Sequence, residues 1–497
     1  MDGYYPHSDL AGTGVPGLDD VLGGGLQRNR LYLVEGVPGS GKTTLALQFL
    51  RAGAAAGESV LCITLSETVD ELHQVAESHG WTLDGVHMCE MSPSETELEP
   101  DEQATMFHPA ETELAATTAR LLAEVERLKP ARLVLDSLSE LRLLAGHPLR
   151  HRRQVLALKQ YFARRHCTVL LLDDMTSGSD PDLQMHSVVH GVLRLEPQQP
   201  DFGAQRRRLR VVKYRGMAFR GGFHDYALAR GGLRVFPRLV ASEHRRRVDR
   251  ASFASGIAAL DALLGGGLDE GSSTLLLGPA GTGKSTLAAV FAHAAARRGE
   301  ASALFLFDES PQMLLARCAA LGMDLEPFID NGLVRLRQVD PGEMAPGEFV
   351  HILRDEVERG ARIVVIDSLN GYLHASPGER FLAVQLHELL AFLGQQGVAT
   401  LLIGAHQGLI GPMTTPIDAS YLADSVVLLR YFELRGAVRQ AISVVKKRGG
   451  PHERTIRQFH LGPDRVRVGD ALHEFRGVLT GVPVYEGPSY TSNDPVA

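Results

Sequence analysis

The sequence predicts an α/β chain of two successive sheets, mostly parallel and flanked by helices, each with an added antiparallel edge. Three observations carry this. Short apolar runs alternate with longer amphipathic stretches through most of the 497 residues, the pattern of strands buried on both faces beneath helices. The pattern is written twice. Residues 14–26 match 256–268, and one interval separates Gly14 from Gly256, Lys42 from Lys284 and Glu67 from Glu309, as tandem copies of one fold require. Finally, each copy carries G-x-x-x-x-G-K-[ST] between an apolar run and a helix-like stretch, at residues 36–43 and 278–285. Two domains of about 240 residues suit this length: residues 1–245 and 246–475, followed by a short tail, 476–497.

In chain order, the first copy is expected to place parallel strands at 31–35, 60–65, 132–136 and 168–173, and the second at 274–277, 303–307, 362–367 and 399–404. The last third of each copy (209–214, 226–230 and 233–236; then 425–431, 440–447 and 455–460) reads as hairpins extending one sheet edge. Residues 90–113 are acid-rich and contain Pro93, Pro100 and Pro109, which predicts an exposed loop. Residues 242–250, with His244-Arg245-Arg246-Arg247, read as a solvated linker.

Composition is globular, with 44% apolar and 22% charged residues. A net charge of −8 argues against a chain built to hold nucleic acid. Cys62, Cys89, Cys167 and Cys318 are scattered without metal-ligand spacing and read as buried thiols in a reducing compartment. The N-terminus has no signal-peptide pattern, and no apolar run approaches the roughly eighteen residues of a membrane span. A soluble, cytoplasmic protein without membrane contact is expected.

The chemistry sits at the ends of the strands. Gly39, Ser40, Gly41, Lys42, Thr43 and Thr44, and likewise Gly281, Thr282, Gly283, Lys284, Ser285 and Thr286, form phosphate-binding P-loops. Their N–H groups face one anion at the positive end of the following helix. The expected cofactors are ATP and Mg²⁺, with Lys42 and Lys284 on the β/γ-phosphates and the Thr43 and Ser285 hydroxyls on the metal. Asp136 and Asp367 end apolar runs, where a carboxylate faces the nucleotide crevice and holds Mg²⁺; the alternative is a capping aspartate. Glu67, and Asp308 with Glu309, follow the next strand. There an acid polarises the attacking water or takes a hydroxyl proton, beside helix caps written as Thr68-x-x-Glu71 and Ser310-Pro311. Lys213 with Arg215, and Lys446 with Arg448, recur at matching places on strands. Each pair shares a face and is suited to a γ-phosphate, including that of a neighbouring subunit.

This constellation resembles the RecA-like P-loop ATPases and, more narrowly, the tandem-domain KaiC family, over roughly residues 10–485. Its most specific parts are the Leu-Asp-x-x-Leu-Gly-Gly-Gly-Leu entries, the acidic strand ends, and residues 425–459. The resemblance implies a homohexamer of two stacked rings with ATP at subunit interfaces, the first copy an ATPase and the second a kinase acting on the neighbouring subunit. The family's Ser-Thr acceptor pair aligns with Ser420 and Tyr421. This leaves Ser420 as the phosphoacceptor candidate and removes two-site phosphorylation. Ser66 replaces the first of the paired acids in copy one, and Asp308 shortens it in copy two. The tail lacks most of the extension that engages the clock's activating partner. A signalling switch or timer with a signalling protein partner is therefore expected rather than a circadian oscillator. The alternatives are a DNA-dependent ATPase, for which Arg206–Arg208 and Arg150–Arg153 speak, and a nucleotide-gated scaffold without kinase activity.

Overall fold

The computed structural model describes residues 10–91, 109–175, 183–199, 203–244, 251–374, 382–405, 421–462, 465–479 and 482–487. The chain divides into two compact units, Met1–Arg238 with Ala345–Glu348, and Leu239–Met344 with Phe349–Ala497.

Among the described residues the first unit is built on a nine-stranded sheet. Its strands are β1 (Leu31–Gly36), β2 (Val60–Thr64), β3 (Val86–Glu90), β4 (Arg132–Asp136), β5 (Thr168–Asp174), β6 (Gly191–Gln198), β7 (Arg206–Tyr214), β8 (His224–Ala229) and β9 (Gly232–Phe236), in the order β9-β8-β7-β6-β1-β5-β4-β2-β3. The six strands from β6 to β3 run parallel; β6 through β9 pair antiparallel. Every residue of β1, β2 and β4 is buried, which is why their apolar runs do not alternate. One face packs Tyr32 and Val34 under Leu45, Phe49 and Leu50 of α1 (Lys42–Ala55). The other packs Leu31 and Leu33 under Val155, Leu158 and Phe162. Each such side chain contributes about 1.5–3 kcal/mol.

The second unit repeats this plan with β10 (Ser273–Gly278), β11 (Ala301–Leu306), β12 (Val334–Gln338), β13 (Ala361–Asp367), β14 (Ala399–Ala405), β15 (Ser425–Leu434), β16 (Ala437–Lys447), β17 (Arg457–Gly462) and β18 (Arg465–Ala471). Their order, β12-β11-β13-β14-β10-β15-β16-β17-β18, is that of the first unit strand for strand. The helix after its P-loop is α2 (Lys284–Arg297).

All the strands expected from the sequence are present, and both copies carry the antiparallel edge. Within the two nine-stranded sheets, four strands were not anticipated. β3 and β12 are edge strands with half-exposed, mixed sequences; β6 interrupts its apolar run with Arg194 and Pro197; β18 alternates at the opposite edge. The acid-rich stretch is not loop throughout, because a helix spans Pro109–Leu128, consistent with proline's tolerance in a first helical turn. Residues 92–108, and 245–250 of the expected linker, lie outside the described residues.

Candidate active sites

In both units the first strand delivers the chain into a P-loop whose backbone only glycine adopts readily. Gly39 and Gly41 have φ of 77° and 93°, and Gly281 and Gly283 have 79° and 93°. Gly41 and Gly283 cap α1 and α2 with no side-chain hydrogen bond, so the first N–H groups of each helix stay available for an anion. Lys42 Nζ donates to the carbonyls of Gly36 (3.0 Å) and Val37 (3.1 Å). Lys284 Nζ does the same with Gly278 (2.9 Å) and Pro279 (2.7 Å), and burial lowers its pKa to about 8 against the opposing pull of Asp367. The buried Ser40 hydroxyl has no hydrogen-bond partner, while Thr282 donates to the Pro279 carbonyl at 2.9 Å. Thr44 and Thr286 are buried one turn on, and Thr44 hydrogen-bonds His79 at 3.3 Å.

The expected metal ligands come together. Thr43 Oγ1 donates to Asp136 Oδ2 at 3.0 Å, and Ser285 hydrogen-bonds Asp367. Burial raises the pKa of both aspartates, so each carboxylate favours a cation beside it. This donor set, hydroxyl plus carboxylate next to an open helix N-terminus, fits Mg²⁺ with a triphosphate.

The expected acids differ between units. Glu67 lies just beyond β2 and lines a cleft of about 460 Å³ with Ser66, Glu71, Gln74, Val75 and Ser78. Its Oε2 is buried without a hydrogen-bond partner. Its pKa rises to about 6, through burial first and then the charges of Asp136, Glu71 and Asp174, against the pull of Lys42. In the second unit Asp308 accepts from Ser368 Oγ. Glu309 is held by the Arg317 guanidinium through two bonds of 2.5 and 2.8 Å. The caps beside these acids formed as the sequence indicated, a capping box from Thr68 and Glu71 and an N-cap at Ser310 with proline after it.

Lys213 and Lys446 lie on β7 and β16 as expected, but Arg215 and Arg448 fall one residue beyond those strands. Lys213 donates to the carbonyls of His186 and Val189 and Arg215 to that of Ser187. Lys446 donates to Ala423 and Arg448 to Tyr421, with Asp424 beside Arg448 at 3.6 Å. Backbone bonds set Arg215 level with Leu31 through His190, and Arg448 level with Ser273 through Asp424. The P-loops begin at the other ends of β1 and β10, five residues and roughly 16 Å along the strand from the level of Arg215 and Arg448. Lys213 and Lys446 stand level with Leu33 and Leu275, three residues and roughly 10 Å short of the loops. Ser420 lies outside the described residues.

Three first-unit features escaped the sequence reading. Asp174 forms an ion pair with Lys42 at 2.7 Å. Asp173 is buried against Arg142 and Ser139. Glu35, buried in β1, is paired with Arg194 and hydrogen-bonded to His186. A pair of buried charges far apart in sequence leaves no periodic trace. Of the basic runs, Arg206 is buried in β7, Arg208 faces Asp225 at 3.4 Å and His151 is buried in its helix, whereas Arg150, Arg152 and Arg153 are exposed on that helix.

Two units of one topology, each with a P-loop opening onto a helix and an acid at the end of the fourth strand, define tandem RecA-like P-loop ATPase domains. Comparison with known proteins narrows this. The family model described as "ATPase: KaiC" matches residues 11–240 and again 253–473, and the chain belongs to the KaiC family of ATPases. It is 26% identical to the circadian clock oscillator protein KaiC of Thermostichus vulcanus, over 95% of this chain and 91% of that protein. With the circadian clock protein KaiC3 of a Synechocystis species it shares 26% over 96% and 95%. With the circadian clock oscillator protein KaiC of Synechococcus elongatus it shares 27% over 95% and 91%. Among the described residues no helix is long and apolar enough to cross a membrane.

Proposed function

We propose that the chain works as a cytoplasmic homohexamer that binds two ATP and two Mg²⁺ per polypeptide at subunit interfaces, as a signalling switch or timer in keeping with the clock proteins it resembles. Residues 1–245 hydrolyse ATP and residues 246–475 transfer phosphate, with 476–497 a short tail. Thr43 with Asp136, and Ser285 with Asp367, hold the metal. Lys42 and Lys284 neutralise the β/γ-oxygens. In the first domain Glu67 orients the attacking water. In the second, Asp308 or Glu309 takes the proton of Ser420 as its oxygen bonds to the γ-phosphorus and ADP leaves.

The observation that carries this reading is the position of Lys213, Arg215, Lys446 and Arg448. Arg215 and Arg448 stand roughly 16 Å, and Lys213 and Lys446 roughly 10 Å, along the strand from the loop of their own unit, which suits a nucleotide held by another copy. Nucleic acid is not among the proposed partners, because the net charge is −8, Arg206 is buried and Arg208 is paired with Asp225.

Sedimentation with Mg²⁺ and ATP, counting of bound nucleotide, and mapping of phosphate taken up from labelled ATP test the proposal. A hexamer with two nucleotides per chain and phosphate on Ser420 is expected. A monomer under these conditions overturns the assembly, and absence of label overturns the kinase half alone.

A further inference from the structure

Lys42 and Lys284 occupy one place in two loops, yet among the described residues only Lys42 has an ion-paired carboxylate on it. The pair is built in. Strand register sets Gly36 opposite Asp174. The Asp174 N–H donates to Ser139 Oγ at 3.0 Å, and the Met175 N–H to the Gly36 carbonyl at 3.1 Å, the carbonyl that also accepts from Lys42. The preceding acid does not compete, since Asp173 is held by Arg142 and Ser139. The second unit sets Gly278 opposite Ala405, and among the described residues Lys284 has only carbonyl partners. The Lys42 side chain is 7% exposed and that of Asp174 33%. Water therefore screens the ammonium little, while the carboxylate has room to turn away.

We propose that Asp174 is a resident competitor for the first nucleotide: it occupies the ammonium that an incoming triphosphate must take, so the first unit binds nucleotide more weakly and releases it faster than it otherwise would. This rests on the nucleotide-binding reading above and adds a control that the second unit lacks. Removal of the competitor leaves the loop and the metal ligands in place and frees Lys42 for phosphate.

The test is calorimetric titration of the full chain with ADP and Mg²⁺, with Lys284→Ala silencing the second site. Asp174→Asn is expected to tighten binding roughly three- to tenfold and to slow ADP release by a similar factor. Asp173→Asn, which removes the neighbouring carboxylate that does not touch Lys42, is expected to move affinity less than about twofold. Conversely, Ala405→Asp in a Lys42→Ala chain is expected to weaken ADP binding at the second site. Unchanged or weaker binding on Asp174→Asn overturns the inference, as does an equal gain on Asp173→Asn, which is plain charge repulsion. Failure of the unsubstituted chain to bind ADP at all instead overturns the nucleotide-binding reading itself.

Discussion

In the first unit the strand entering the P-loop pairs Glu35 with Arg194; in the second the same register pairs Leu277 with Leu428. Beside them Asp173 and Asp174 stand where the second unit has Gly404 and Ala405. The two loops nevertheless differ by no more than two degrees in φ at Gly39 against Gly281 and at Gly41 against Gly283. The grip on phosphate is thus set by glycine and strand order, and the field around it is set separately by side chains from neighbouring strands. One half surrounds its loop with buried ion pairs, the other with hydrocarbon.

The largest expected effects test whether the loops are independent. Lys42→Ala and Lys284→Ala should each weaken ATP at their own site at least about a thousandfold, roughly 4 kcal/mol, and leave the other site within twofold, as read by titration. Cross-talk would make the two environments a single one.

Next comes the buried pair. Arg194→Leu strands Glu35 in the interior and should lower stability in urea unfolding by about 3 kcal/mol. Glu35→Leu with Arg194→Leu, which writes the second unit's pair into the first, should fall within about 1 kcal/mol of the parent. A large loss in the double variant would show that the charges shape the loop after all.

Glu67→Gln should slow hydrolysis in a Lys284→Ala chain about a hundredfold without loss of binding. In the parent, hydrolysis should rise with pH through about 6 as Glu67 ionises, and the variant should lack that limb. The sign for stability is opposite. The folded chain keeps this proton where the unfolded chain has lost it, so stability falls as pH rises from the ordinary value of 4.5 through about 6. Smallest is Arg448→Ala, expected to lower turnover about tenfold with nucleotide occupancy unchanged, because Lys446 remains beside it.

Much of this was legible from residue order. Both P-loops, Asp136 and Asp367 at strand ends, and the central parallel strands follow from runs such as Ile363–Ile366 that are buried on both faces. β6 was not, because Arg194 makes a buried strand look solvated until its partner Glu35 is known. The Lys42–Asp174 pair was silent for the same reason: its meaning depends on β1 and β5 being neighbours, which sequence spacing does not state. Glu309 could be named as an acid, but its hold by Arg317 arises from a helix turn folding back upon it.

If Lys213 with Arg215, and Lys446 with Arg448, serve a neighbour's nucleotide as proposed, each unit carries a donor pole at these cations and an acceptor pole at its P-loop. Copies that satisfy one another in this way must dock head to tail, a heterologous contact with no twofold axis. Such contacts have two outcomes: rotation that closes on itself yields a ring of fixed number, and rotation that does not yields a filament. On the proposed reading each polypeptide carries two such contacts, so both would have to reach closure at the same count.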